Sequence, residues 1–171
     1  MLRLMPLPRG RLVVALSMLA AGLTVPAASA AEPGAIEGYE WQGVVRDGAA
    51  SFVYGSPESV EDLEFWLTCE PKTKATDLTL YVDIKGTKVG QAMPIEISVG
   101  SAKATVRGKI RTDGMTGFYF AEAKGPKVKP VIEVFKGNGT ATIKTGKLTT
   151  LLPEKGRAKA LAAFAKGCTL D

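Results

Sequence analysis

Apolar and polar residues alternate with a period of two along much of the chain beyond residue 39. In residues 61–69, one face holds Leu63, Phe65, Leu67 and Cys69, and the other holds Asp62, Glu64, Trp66 and Thr68. Successive side chains of a strand point to opposite faces, so this pattern predicts a half-buried β-strand.

The same reasoning predicts eight further strands, which are separated by short turns. Their ranges are 40–46, 49–54, 77–84, 94–99, 102–111, 116–123, 140–145 and 147–151. Asp47-Gly48, between the first two, is typical of a tight hairpin turn. Residues 131–136 fit either a helical turn or a strand, and the sequence leaves that choice open.

One segment, residues 153–166, has the spacing of an amphipathic helix. Its apolar side is formed by Ala158, Leu161, Phe164, Ala165 and Cys168. Pro153 suits the first helical position and Gly167 suits the helix end. The chain is therefore predicted to be mainly β: an antiparallel sandwich or barrel of about seven to nine short strands, with one C-terminal α-helix packed on it.

The first thirty residues have a different pattern, which indicates a secretory signal peptide. Three arginines without an acid are followed by an apolar run over residues 12–25 and by Ala28-Ser29-Ala30, an A-x-A cleavage site. The apolar run is shorter than the roughly 20 residues that a spanning helix needs. We expect a signal peptide over 1–30, a flexible mature N-terminus over 31–38 and a single β-rich domain over 39–171.

This organisation predicts a periplasmic or secreted protein of a bacterial envelope. No second long apolar run follows the signal peptide, so we expect no stable membrane span after cleavage. The two cysteines, Cys69 and Cys168, are then exported to an oxidising compartment, where we expect them to form one disulfide.

Charge is nearly balanced overall but unevenly distributed. Without the arginines of the signal peptide the net charge is +2, which argues against nucleic acid as a partner. Residues 31–71 contain nine acidic residues and one cation, whereas residues 72–171 contain 18 cations and eight acidic residues. Either the two parts pack together so that their fields cancel, or an exposed basic face meets an anionic partner.

The residue types needed for common catalytic sites are missing. Histidine is absent, which removes Ser-His and Cys-His nucleophile pairs and histidine zinc sites. The only candidates for carboxylate catalysis are Glu58, Glu61, Asp62 and Glu64, a pattern more typical of a solvated strand start. We therefore predict no enzyme activity, no metal and no cofactor.

Two sets of residues are candidates for binding. The cations Lys103, Arg107, Lys109 and Arg111 fall on one face of a predicted strand, and we call them the basic stripe. Such a stripe can bind an anion, with Lys124, Lys127 and Lys129 nearby, or simply form a solvated face that discourages edge pairing. Trp66 and Tyr81 fall on the polar faces of their strands, where they would mark a partner surface or pack under another element.

The layout of the chain also carries a resemblance. A signal peptide, Trp41 near the mature start, the run YGSPES…LEFWLTCE, a β-rich middle and an alanine-rich helix ending in FAKGC resemble small exported alphaproteobacterial proteins without an established function. The layout is also loosely similar to invasion-associated locus B proteins. This resemblance implies export and a β-rich fold, and it transfers no functional residue.

Together these features favour a non-enzymatic envelope protein that binds another component through a β-domain surface. The partner would be an anionic envelope component or a periplasmic protein. The alternatives are an inhibitor or accessory subunit of an envelope enzyme or secretion machine, and, with less support, a carboxylate-based hydrolase. The oligomeric state does not follow from the sequence.

The cleavage site gives a first prediction. N-terminal sequencing of the protein recovered from the periplasm or medium should begin at Ala31, because signal peptidase cuts after the A-x-A motif. An N-terminus at Met1 in the exported fraction would contradict the prediction.

Overall fold

We describe the fold from a computed structural model, in which residues 31–59, 61–73 and 75–168 are described. The predicted signal peptide, residues 1–30, lies outside this part. The elements are β1 Glu40–Arg46, β2 Ala49–Gly55, β3 Leu63–Glu70, β4 Ala75–Leu80, β5 Ala92–Val99, β6 Ala102–Thr112, β7 Tyr119–Lys124, α1 Val128–Phe135, β8 Ala141–Thr145, β9 Leu148–Leu152 and α2 Arg157–Cys168.

The nine strands form one antiparallel sheet in the order β1-β2-β3-β4-β7-β6-β5-β8-β9. Strands β1 to β4 are neighbours in chain order, and β4 then pairs with β7. From β7 the sheet continues through β6 and β5 to β8 and β9. The predicted mainly β, antiparallel fold with a C-terminal helix is confirmed. The sheet is not a closed barrel.

Only one face of the sheet is apolar, and both helices pack against it. α2 covers β1 and β2, α1 covers β5 and β6, and the two helices also contact each other. Close approach of α2 requires Gly43, because a Cβ atom there would lie 2.1 Å from the carbonyl oxygen of Ala160. We call the helix-covered face the inner face and the opposite one the outer face.

Aromatic side chains fill the centre of the inner face. The ring of Trp41 stacks on Phe52 with centroids 4.5 Å apart, and Phe135 of α1 lies edge-on to Phe65 at 5.2 Å. Phe164 of α2 packs against Phe52 at 6.0 Å. Because one aromatic cluster joins three strands to both helices, the helices and the sheet share a single core.

A buried arginine holds the helices and their connections together. The Arg157 side chain, 1% exposed, donates hydrogen bonds to the carbonyl oxygens of Phe135 at 3.2 Å, Gly137 at 2.6 Å and Gly139 at 2.8 Å. These carbonyls lie at and after the C-terminal end of α1, where backbone acceptors lack helical partners. Arg157 thereby satisfies both its own donors and the end of α1.

The predicted disulfide between Cys69 and Cys168 is present. It joins the end of β3 to the end of α2, with a Cα–Cα distance of 5.6 Å. Both cysteines are buried. The bridge therefore attaches α2 to the inner face at the end opposite Arg157.

Several predicted elements have different bounds in the structure, and one open choice is resolved. The strand predicted over 77–84 ends at Leu80, although Ile84 is buried. The helix predicted from residue 153 begins at Arg157, because Gly156 has a φ of +84°, which a helix does not allow. The open choice at 131–136 is resolved as helix, since these residues belong to or follow α1.

The N-terminal segment, predicted to be a flexible leader over 31–38, makes specific contacts with the domain. The Tyr54 hydroxyl accepts a hydrogen bond from the Ile36 N–H at 2.9 Å and donates one to the Gly34 carbonyl. The Glu32 carboxylate accepts hydrogen bonds from the backbone N–H groups of Glu154 and Lys155, just before α2. The negative charge of Glu32 therefore lies next to the positive end of the α2 macrodipole, where it stabilises the helix.

A β-bulge changes the direction of one predicted outer-face residue. The register between β2 and β3 shifts at Tyr54 and Gly55, so Glu64 is an extra residue in β3. Glu64 is 9% exposed, and its carboxylate accepts a hydrogen bond from the Thr150 hydroxyl of β9. The alternation had placed Glu64 on the solvated face, and this prediction is wrong because the bulge interrupts the period of two.

The disulfide gives a prediction about stability. It closes a loop with a sequence separation of 99, so replacing both cysteines with alanine should lower the free energy of unfolding by about 4–5 kcal/mol on the chain-entropy model. Urea unfolding of the oxidised protein and of the double variant measures the difference. Equal stabilities would contradict a structural role for the bridge.

Glu64 gives a prediction about pH. Burial raises the pKa of Glu64, and the Thr150 hydrogen bond offsets this only in part. A carboxyl whose pKa is raised by folding binds more protons in the folded state, so its contribution to stability falls as pH rises through the raised pKa. Glu64→Gln should therefore be more stable than the natural protein at about pH 7, with a smaller difference at about pH 4.

Urea unfolding at both pH values measures this difference. Glu61→Gln, which changes an exposed carboxylate three residues earlier, is the matched control for the substitution itself. The stability gain of Glu64→Gln over the natural protein should be larger at neutral pH than at acid pH. A gain that is larger at acid pH would contradict the prediction.

Candidate functional site: two surfaces on the outer face

The inner face is occupied by the helices, so the candidate binding residues are those on the outer face. Trp66 and Tyr81 both lie there, on β3 and directly after β4. Trp66 is 39% exposed, and neither α1 nor α2 covers it, since both helices pack on the opposite face. The sheet therefore leaves both predicted partner residues accessible.

The structure brings Trp66 and Tyr81 together in one groove, which we call the aromatic groove. It encloses about 380 Å³ and is lined by Glu61, Leu63, Trp66, Thr79, Tyr81, Asp113, Met115, Phe120 and Glu122. Thr79 forms the floor, because it lies opposite Trp66 on one side and opposite Glu122 on the other. The groove thus runs along β4, between β3 and β7.

Aromatic packing and a short hairpin loop build the far wall of the groove. The Tyr81 ring lies 4.8 Å from Phe118 and 4.9 Å from Phe120, measured between centroids. The Tyr81 hydroxyl donates a hydrogen bond to Asp113. Asp113 also accepts hydrogen bonds from the backbone N–H groups of Met115 at 2.9 Å and Thr116 at 2.7 Å, which holds the loop after β6 in place.

These contacts keep carboxylates of the groove ionised and therefore negatively charged. The hydrogen bonds from Tyr81 and Thr116 hold the pKa of Asp113 well below its usual value. Partial burial would raise the pKa of Glu122, but hydrogen bonds from Lys124 and Arg111 outweigh it and lower the pKa. The Asp113 hydrogen bond raises the pKa of Tyr81 to about 12. At neutral pH the Asp113 and Glu122 carboxylates of the groove are therefore ionised, and the Tyr81 phenol is neutral.

The basic stripe lies on the outer face of β6, beside the groove, and only part of it is neutralised. Arg111 donates to Glu122 at 2.9 Å, so this member of the stripe is already paired. Lys103, Arg107 and Lys109 are exposed and make no ion pair with any residue that the structure describes. The stripe that remains is therefore three cations long.

Lys124, Lys127 and Lys129 were predicted to extend the stripe. Two of them, Lys124 and Lys127, border the same cleft as Arg107. The cleft encloses about 590 Å³ and is lined by residues 104–107 of β6 and by Lys124, Gly125, Pro126, Lys127, Pro130 and Val131. Lys124 also bonds to Asp77 at 3.1 Å and to Glu122 at 2.9 Å, so its charge is shared. Lys129 is exposed and does not line the cleft.

The candidate catalytic carboxylates have different surroundings. Asp62 accepts a hydrogen bond from the Tyr39 hydroxyl, and Glu64 points to the inner face. Glu61 lines the aromatic groove, and Glu58 is exposed. Among the described residues no group of three or more Asp, Glu, Cys or His side chains could hold a metal ion, and no helix among them is long and apolar enough to cross a membrane.

Three groove residues, Phe120, Met115 and Asp113, were not predicted from the sequence, and the prediction of Leu63 on the inner face is wrong, because the β-bulge after it reverses the alternation and Leu63 lines the groove. Phe120 had a usable signal, because it alternates with Phe118 and Glu122 on one side of a predicted strand. Strand alternation gives the face of a residue but not its neighbours on other strands. The β4–β7 pairing, which joins strands far apart in sequence, is what brings Phe120 to Tyr81.

Comparison with family models, with curated proteins and with solved structures gave no match for this chain.

Proposed function

We propose that this chain is an exported, non-enzymatic protein of the bacterial envelope that binds a protein partner through the aromatic groove. The observation that carries the proposal is the groove itself, in which exposed Trp66 and Met115 (94% exposed) flank a recess on the outer face. Exposed aromatic and methionine side chains around a recess are the composition of protein interfaces, whose centres are rich in Trp, Tyr and Met.

The packing of the domain supports this assignment. Most of the large apolar side chains lie in the core on the inner face, where two helices bury them. Leu63, Trp66 and Phe120 remain outside, although nothing in the sheet geometry requires apolar residues on a solvated face. Burying them against a partner would be favourable by about 25 cal/mol for each Å² of apolar surface removed from water.

A second candidate is binding of an anionic envelope component. The observation that favours it is the unpaired part of the basic stripe, Lys103, Arg107 and Lys109, which lies beside the cleft containing Lys127. Exposed charges are screened by salt, so binding at this surface would weaken strongly as ionic strength rises. Binding at the aromatic groove would be much less sensitive to salt.

The inhibitor or accessory-subunit role is one form of the same proposal, because it too needs a protein-binding surface. A carboxylate-based hydrolase has less support. Asp62 and Glu64, neighbours in the sequence, are each hydrogen-bonded in a different place, Asp62 to Tyr39 and Glu64 to Thr150. Glycosidases instead need two carboxyl groups that flank one bond.

The groove can be tested by substitution of its central residue. Trp66→Ala should lower the affinity for the partner by about 30-fold, since aromatic residues at the centre of an interface contribute about 2 kcal/mol or more. The tagged, oxidised protein is incubated with native envelope extract at high salt, and retained proteins are quantified by mass spectrometry.

Val44→Ala is the matched control, because Val44 is similarly exposed, at 37%, on β1. A partner that is retained by the natural protein and by Val44→Ala, but lost by Trp66→Ala, is the expected result. Equal retention by all three proteins at high salt would overturn the groove proposal. A partner lost by all three at high salt would favour the basic stripe instead.

A further inference from the structure

The sheet contains a gap between β6 and the end of β7. These strands pair only over a short stretch, from Lys109 opposite Glu122 to Thr112 opposite Tyr119. After Glu122, β7 remains paired with β4, where Lys124 lies opposite Asp77. The chain then continues into α1. The first half of β6, residues 102–108, therefore pairs with β5 on one side only.

The hydrogen-bond pattern shows which backbone groups face this gap. The N–H and C=O of Ile110 bond to Gln91 and Gly90, on the β5 side of β6. Alternate residues of a strand direct their backbone groups to opposite sides, and the β5–β6 register has no irregularity. The N–H and C=O groups of Lys103, Thr105 and Arg107 therefore point away from β5 and into the gap.

A proline on the neighbouring strand is consistent with this direction. Pro94 of β5 lies opposite Arg107 and has no N–H to give to β6. If Arg107 directed its carbonyl towards β5, that acceptor would have no partner at Pro94. The three gap-facing residues are exposed, and no described residue pairs with their backbone groups on this side, so these groups are open to another strand.

The side chains around the gap define what could pair there. On the outer side are the cations Lys103, Arg107, Lys124 and Lys127, and on the inner side the small apolar residues Ala104, Val106 and Val131. The cleft volume of about 590 Å³ lies within the range of about 300–1,000 Å³ that is typical of ligand pockets.

We propose that this gap is a binding site for an extended acidic segment of a protein, which adds to β6 as a further strand. Its backbone would exchange hydrogen bonds with Lys103, Thr105 and Arg107, as in other cases of strand addition. Its side chains would alternate, with acidic residues outside against the cations and small apolar residues inside against Val106 and Val131.

The charges also disfavour pairing of this edge with the same edge of another copy of the chain. Two copies of β6 placed side by side would bring Lys103 and Arg107 of each against those of the other, and like charges on adjacent strands are unfavourable. The cations thus both protect the open edge and select an acidic strand. This site is separate from the aromatic groove and does not depend on it.

The probe is a fluorescent peptide of alternating Glu and Val, and its binding to the exported, oxidised protein is followed by fluorescence anisotropy. Two N-methylated versions, one methylated at every Glu amide and one at every Val amide, test for strand pairing. In a paired strand only one of these two sets of amides faces β6. One version should therefore lose affinity by about tenfold or more, and the other should lose much less.

Three results would overturn the proposal. They are no binding of the unmethylated peptide, equal affinities for all three peptides, and an equal loss for both methylated versions. Equal affinities combined with displacement by a polysulfated glycan would identify a surface that attracts anions by charge alone. A peptide of alternating Lys and Val is the charge control and should not bind.

A protein variant tests the same contact from the other side. Thr105→Pro removes one N–H that faces the gap, at an edge where proline is tolerated, and should lower the affinity for the Glu-Val peptide by about tenfold. Thr105→Ala keeps the N–H and should bind like the natural protein. If Thr105→Pro does not fold, as judged by circular dichroism, the pair of methylated peptides decides the question.

Discussion

The structure depends on one constraint, which is that a nine-stranded sheet with a single apolar face must bury that face against its own two helices. The aromatic cluster around Trp41, Phe52 and Phe135 forms because α1 and α2 both reach the same face. Two links hold them there: the Arg157 side chain binds carbonyls at the end of α1, and the disulfide ties the end of α2 to β3. Loss of either link would leave part of the inner face exposed to water.

The same constraint leaves the outer face as the surface on which we propose binding. Helices and aromatic rings occupy the inner face, and the two cavities described above open on the outer face and at a gap in the sheet. One row of cross-strand neighbours, Trp66, Thr79, Glu122 and Lys109, links the aromatic groove to the basic stripe. Glu122 lies between these two surfaces and forms ion pairs with Arg111 and Lys124. It therefore offsets part of the positive charge next to the groove.

Alternation within single strands made much of this fold predictable. It gave the inward positions of Phe65, Leu67 and Cys69 in β3, the inward residues of β6 and the outward position of Trp66, because a period of two reports the face of each side chain. Glu64 was misplaced because one bulge residue reverses the phase, and a bulge has no composition signal of its own here.

The positions of neighbours on other strands were not predictable in the same way. Phe120 meets Tyr81, and Lys124 lines the same cleft as Arg107, only because β7 pairs with β4 through residues 121–124 and with β6 through residues 119–122. Such pairings are contacts between distant parts of the chain, which the pattern of one segment does not contain. The groove and the gap therefore result from the order of the strands in the sheet. The sequence alone predicts only which face of a strand each of their residues occupies.

Site-specific photo-cross-linking in native envelope extract tests most directly whether the outer face is the binding face. A photoreactive residue is placed at Thr79 on the floor of the aromatic groove, at Thr105 in the gap, and at Ala162 on the exposed side of α2 as the reference. We expect Thr79, Thr105 or both to cross-link to a defined partner, and we expect no cross-link from Ala162. Cross-linking from Ala162 alone would contradict this expectation, because the partner would then bind the helical side of the domain.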